Sequence, residues 1–80
     1  MKLNDFFILI AESLEINDFN LIKADFNISK VWDSLGQINL INMLDKNFNL
    51  VISIDHLNEI TYVQDIIDII EEQKSIKFEN

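Results

Sequence analysis

Val31-Trp32-Asp33-Ser34-Leu35-Gly36 stands just ahead of an apolar-periodic segment and so presents one hydroxyl, that of Ser34, at the mouth of a helix. As a catalytic nucleophile Ser34 would need a general base to take its proton, and the surrounding sequence supplies none. An anionic group at this position would face the free N–H groups of a helix N-terminus and the positive end of the helix dipole. The chain has no cysteine and one histidine, His56, which removes disulfides, thiolate chemistry and Cys/His metal sites from consideration. His56 reads as a solvated residue at the start of a short helix. Asp65, Asp68, Glu71 and Glu72 lack the glycine and oxygen-ligand spacing of a calcium loop and read as a solvated helical face, so no metal site is expected. Trp32 can touch a group attached at Ser34, touch a partner, or pack the loop.

The elements that must hold Ser34 follow from periodicity. Leu3, Phe6, Phe7, Ile10 and Leu14 recur at three- and four-residue steps, which predicts a first helix over about 4–15. From Ile16 to Asp33 the period fades among Asn, Asp and Ser, residues that compete with helix by bonding nearby backbone. This predicts a long first loop, held down by Phe19, Leu21, Ile22, Phe26 and Ile28. A second helix is expected over about 34–47 with Asp33 or Ser34 as its N-cap. At about 100° per residue, Leu40, Ile41, Leu44 and Phe48 share its core face. Leu35 and Ile38 fall off that face, apolar and close to Ser34, where they serve as a docking patch or lie under the loop. Gln37, Asn39, Asn42, Asp45, Lys46 and Asn47 are expected on its exposed side. Residues 47–54 are β-branched but have no partner strand, so an extended connection burying Leu50, Ile52 or Ile54 is expected. A short third helix over about 55–59 follows. Thr61 with Gln64 fits a capping box for a last helix over about 62–73, with Val63, Ile66, Ile67 and Ile70 inward. The tail, 75–80, reads as loose, with Ile76 and Phe78 able to fold back.

Composition agrees with one small helical domain over 1–80. Apolar residues make up 49%, with one glycine and no proline, which favours long regular elements. A chain this short exposes much of its surface and leaves little room for an enzyme cleft. The net charge of −8 disfavours nucleic acid and anionic lipid and favours partners with basic surfaces. The apolar run from Phe6 to Ala11 is too short to span a bilayer, and a cytoplasmic, monomeric protein without membrane insertion is expected.

Three long helices, a long first loop, a serine opening the second helix and a short third helix make the chain resemble the acyl carrier protein family over about Leu3 to Ile70. Asp33-Ser34-Leu35 looks like the family's attachment triplet. Leu40, Ile41, Leu44 and Phe48 look like its second-helix core, and Ile60-Thr61 with Val63-Gln64 like its approach to the last helix. The resemblance implies an all-α, antiparallel three-to-four-helix bundle whose Ser34 carries 4′-phosphopantetheine, added from coenzyme A by a separate phosphopantetheinyl transferase. It implies an acyl group held as a thioester, no catalysis by the carrier itself, and two further partners: a loading ligase and a downstream acyltransferase or synthase. Asp33 and Leu35 would be the flanking residues of the attachment motif.

Two departures shape the expectation. The second helix shows one acid, Asp45, with Lys46 beside it, where the family's fatty-acid enzymes commonly read a row of acids. Gly36 follows the triplet where a larger residue is usual, and in a helix it costs about 0.5–1 kcal/mol relative to alanine, less in the first turn. The helix departure argues against a housekeeping fatty-acid carrier, and Trp32-Asp33-Ser34-Leu35-Gly36 resembles the stand-alone carriers of specialised acyl, polyketide and surface-glycan pathways. An aminoacyl cargo, as in D-alanyl carriers, stays open, although Leu35 stands where those have an aromatic. The expected partner surface is Leu35, Gly36, Ile38 and Asn39, with Asn42 and Lys46 at its rim. The rival from another class is a small helical interaction module whose Ser34 is never modified.

Overall fold

The computed structural model describes all of residues 1–80, which form four α-helices, two short 3-10 turns and no strand: α1 (Leu3–Ser13), α2 (Ser34–Phe48), α3 (Ile54–Asn58) and α4 (Val63–Lys74). None of the helices is long and apolar enough to cross a membrane. The helix bounds sit within two residues of those the periodicity predicts. Where α1 stops short, at Ser13 instead of residue 15, Glu15 takes a left-handed φ of 59° and turns the chain away. Asn49 and Ser75 do the same after α2 and α4, with φ of 53° each. The usual glycine of this left-handed stop is absent, and asparagine is the residue that tolerates it next best.

A single cluster of 17 buried apolar residues joins the elements, among them Phe6 and Ile10 from α1, Leu40 and Leu44 from α2, Leu57 from α3 and Ile66 and Ile70 from α4. On α2, Leu40, Leu44 and Phe48 are buried as expected and Ile41 is half-buried, but the buried arc also takes in Met43 and Gln37. Gln37, expected to be exposed, lies beneath α3, where its Nε2 donates to Asn58 Oδ1 at 2.7 Å. The extended connection buries Leu50 and Ile52 while Val51 and Ile54 face solvent. The third helix is capped by Ser53, whose hydroxyl accepts from His56 N at 3.1 Å.

The long first loop is anchored by Ile22 and Ile28, both fully buried, with Phe26 half-buried. Phe19 and Leu21 do not anchor it: they lie on a 3-10 turn, Phe19–Leu21, and stay exposed. The loop's grip on α4 is through backbone. Val63 N donates to Phe26 O at 3.1 Å, Gln64 N to Ala24 O at 2.8 Å and Ser29 N to Thr61 O at 3.3 Å. That pairing holds Tyr62 extended and shifts the helix start by one residue. Tyr62, not Thr61, is the N-cap, and the reaching side chain is Asp65, not Gln64: its Oδ2 accepts from Thr61 N at 3.0 Å and Tyr62 N at 2.9 Å.

The tail is docked. Phe78 packs its ring 4.9 Å from that of Phe6 and 5.9 Å from that of Phe48. Leu3 N donates to Glu79 O at 2.7 Å and Glu79 N to Met1 O at 3.1 Å, so the two ends of the chain are paired.

Candidate functional site

Two anchors fix the turn that carries Ser34. Upstream, the 3-10 turn Ile28–Lys30 is pinned by buried Ile28 and by the Ser29–Thr61 backbone bond. Downstream, Asp33 is in extended conformation (φ −136°, ψ 171°) and caps α2 through Oδ1, which accepts from Gly36 N at 2.6 Å. The Asp33 carbonyl then takes the first helical bond, from Gln37 N at 3.0 Å. An aspartate cap of this kind satisfies one of the free N–H groups at the helix start and places a negative charge at the positive end of the dipole.

Ser34 is the first residue of α2, exposed, and its hydroxyl takes part in no hydrogen bond within the chain. With Gly36 N held by Asp33 and Gln37 N by the first helical bond, the amides of Ser34 and Leu35 remain free, and an anion on the Ser34 oxygen would lie beside them. Leu35 is 55% exposed and Ile38 47% exposed, apolar side chains open to solvent on the turn after Ser34. This donor set fits a phosphodiester at Ser34: an unencumbered hydroxyl, two unpaired amides, and no side chain bonded across it.

The remaining positions expected on the partner surface divide. Asn42 and Lys46 are exposed and Asn39 is half-buried, its Nδ2 donating to Ser13 O at 3.1 Å. Gly36 is buried rather than facing a partner. A Cβ there would come 2.9 Å from Asp33 Oδ1 and 3.1 Å from Leu14 Cδ2, so the glycine lets α1 close on the cap. Trp32 is half-buried against the core with its indole Nε1 buried and unpaired, two residues before Ser34.

Three of the four acids of α4 bond within the chain, and Glu72 is left exposed. Asp65 caps the helix, Asp68 Oδ1 accepts from Gln64 Nε2 at 2.8 Å, and Glu71 Oε2 accepts from Phe78 N at 3.3 Å. His56 is half-buried in α3 with no second histidine to join it.

Sequence reasoning did not find the groove between α1 and α2, lined by Leu9, Glu12 and Ser13 on one side and Asn39, Asn42, Met43, Lys46 and Asn47 on the other. The spacing of those five α2 positions, at steps of three, one, three and one, was the available signal. Leu44 and Ile66, which would have to part to admit a chain into the interior, are fully buried, and no surface depression reaches them. No family model, curated protein or solved structure matches the chain.

Proposed function

We propose that this chain is an acyl carrier of the stand-alone, specialised type, folded as a carrier-type helical bundle. Ser34 is the attachment point of a 4′-phosphopantetheine arm, with Asp33 and Leu35 completing the attachment motif. The observation that carries the reading is the exposed, unbonded Ser34 hydroxyl at the first turn of the longest helix, beside an aspartate cap that fixes the turn. Loading requires a phosphopantetheinyl transferase. The bond from Ser34 Oγ to phosphorus forms as the pyrophosphate bond of coenzyme A breaks, adenosine bisphosphate leaves, and the hydroxyl proton passes to a base of the transferase.

When bound, the arm supplies a terminal thiol able to hold an acyl group as a thioester for a loading ligase to charge and an acyltransferase or synthase to unload. The chain's own residues hold and orient. Asp33 fixes the first turn, the Ser34 and Leu35 amides face the phosphodiester, and Leu35 with Ile38 offers partners an apolar contact. A cytoplasmic setting suits a carrier that depends on coenzyme A. An aminoacyl cargo would use the same residues, and a ligase assay across fatty, hydroxy and amino acids separates the two.

The deciding experiment is the intact mass after incubation with coenzyme A, magnesium and a broad-specificity transferase, with thiol titration beside it. Because the chain has no cysteine, the thiol background is zero. A gain of one phosphopantetheine and one thiol is expected, with neither gain in Ser34→Ala. Partner binding that persists unchanged in Ser34→Ala, from a folded protein that never gains a thiol with its own organism's transferase, would identify the unmodified interaction module instead.

A further inference from the structure

We infer that the end of α1 is a brace that fixes the attachment turn, with Asn39 and Leu14 as positioning residues for the loading of Ser34, an inference that rests on the carrier reading. A helix leaves its last carbonyls without partners of its own, and α1 has no glycine at its stop to help satisfy them. One of those carbonyls is taken up by α2: Asn39 Nδ2 donates to Ser13 O at 3.1 Å. One residue on, Leu14 packs where Gly36 leaves room, its Cδ2 lying 3.1 Å from the place a Cβ would occupy. The capping oxygen, Asp33 Oδ1, lies 2.9 Å from that same place, so Leu14 closes beside the bond that Gly36 N donates to Asp33. Ser13, Leu14 and Glu15 line one narrow cleft there with Asp33, Leu35 and Asn39.

The brace stands behind the hydroxyl. At about 100° per residue Ser34 lies roughly 160° around α2 from Gly36, and it lines no depression between the two helices. The end of α1 therefore holds the turn from one side and leaves the other open to a transferase. What it holds is the part of a helix that frays, because the first amides have no partners within the helix. Here Gly36 N is the one amide of that turn bonded to a side chain. Attack by Ser34 Oγ on phosphorus needs an in-line approach, and a misplacement of about 1 Å can cost about a hundredfold in rate. Asn39 and Leu14 act on that approach through Asp33 and Gly36, without touching the reacting atoms. The opposite end of the α1 and α2 pair is closed by other means, with Phe6 against Phe48 at 5.7 Å and against Phe78 at 4.9 Å between ring centroids. Stability lost at that end leaves the brace intact, which separates positioning from folding.

The test uses the full-length protein, under conditions where each variant is fully folded, and two readouts: the kinetics of loading by a transferase with coenzyme A, and hydrogen exchange at the Gly36 amide. Asn39→Leu, similar in size but without a donor, and Leu14→Ala are each expected to lower kcat for loading roughly tenfold, with KM within about twofold because Leu35 and Ile38 still dock. Both are expected to speed Gly36 exchange several-fold. Asn39→Gln, which keeps a carboxamide donor, is expected to restore most of kcat. Phe78→Ala, which weakens the far end of the same helix pair, is expected to leave kcat and Gly36 exchange unchanged. Wild-type kcat in Asn39→Leu and Leu14→Ala, or a loss in Phe78→Ala as large as theirs, overturns the brace and leaves the carrier reading standing. Failure of the wild-type protein to gain the arm removes the carrier reading and the positioning role together.

Discussion

At Ser34 and its neighbours the structure is local, and for that reason it was legible. A serine ahead of an apolar period, with aspartate before it, is enough to place the cap and the free hydroxyl, because capping depends on residues within one turn. Asp33→Ala removes the bond to Gly36 N and is expected to cost about 1 kcal/mol of stability, read from urea unfolding. The same variant is expected to be loaded more slowly by a transferase, since the turn that presents Ser34 loses its brace. Ser34→Ala, which breaks no internal bond, is expected to unfold within about 0.5 kcal/mol of the wild type while losing loading entirely. Gly36 was only partly legible: the capping oxygen of Asp33 crowds a side chain there from within the turn, but the second obstacle, Leu14, lies far off along the chain. Helix propensity alone would make Gly36→Ala favourable. With a Cβ 2.9 Å from the capping oxygen, the substitution is expected to lower stability by about 1 kcal/mol, a sign that thermal unfolding checks directly.

Between elements, periodicity gave the three long helices and most of their inward positions, while the joints between them were settled by partners distant in sequence. The sequence around Thr61 offers two residues able to reach back to the helix start, Gln64 toward Thr61 and Asp65 toward Tyr62. Only the backbone pairing of the first loop, Phe26 O with Val63 N and Ala24 O with Gln64 N, selects the second. Gln37 looked like a surface residue because nothing within the helix reveals that α3 and Asn58 cover it. Phe19 and Leu21 looked like anchors because apolarity was the only guide, and Ile22 and Ile28 do that work instead. The tail is the largest gain over the sequence. Phe78 closes the far end of the α1 and α2 pair against Phe6 and Phe48, and Phe6 is fully buried partly on that account. Phe78→Ala is expected to cost about 2 kcal/mol, below the range for a fully buried phenylalanine because the ring is half-exposed. A midpoint unchanged in urea would show that the tail contributes nothing.

Taken whole, the molecule has a radius of gyration of 11.4 Å, close to the roughly 12 Å of a compact domain this long, which leaves no segment extended away from the core. Its charge of −8 acts at this scale, since few of the acids lie on α2. On the carrier reading, encounter with a basic partner would be steered by the overall field, and the contact near Ser34 would be made by apolar and carboxamide groups. Raising salt until the screening length falls to about 3 Å, near 1 M, is expected to slow association with the transferase and leave dissociation almost unchanged. Stopped-flow measurement of the two rates decides it; a salt effect confined to dissociation would place the charged contacts inside the interface. The chain's single tryptophan, Trp32, holds its indole nitrogen buried and unpaired two residues from Ser34. The protein thus carries its own fluorophore beside the proposed attachment point, its ring half-buried and its indole nitrogen sealed from solvent. Unfolding, loading and partner capture should each leave a separate mark on one emission band, in the unlabelled protein and in real time.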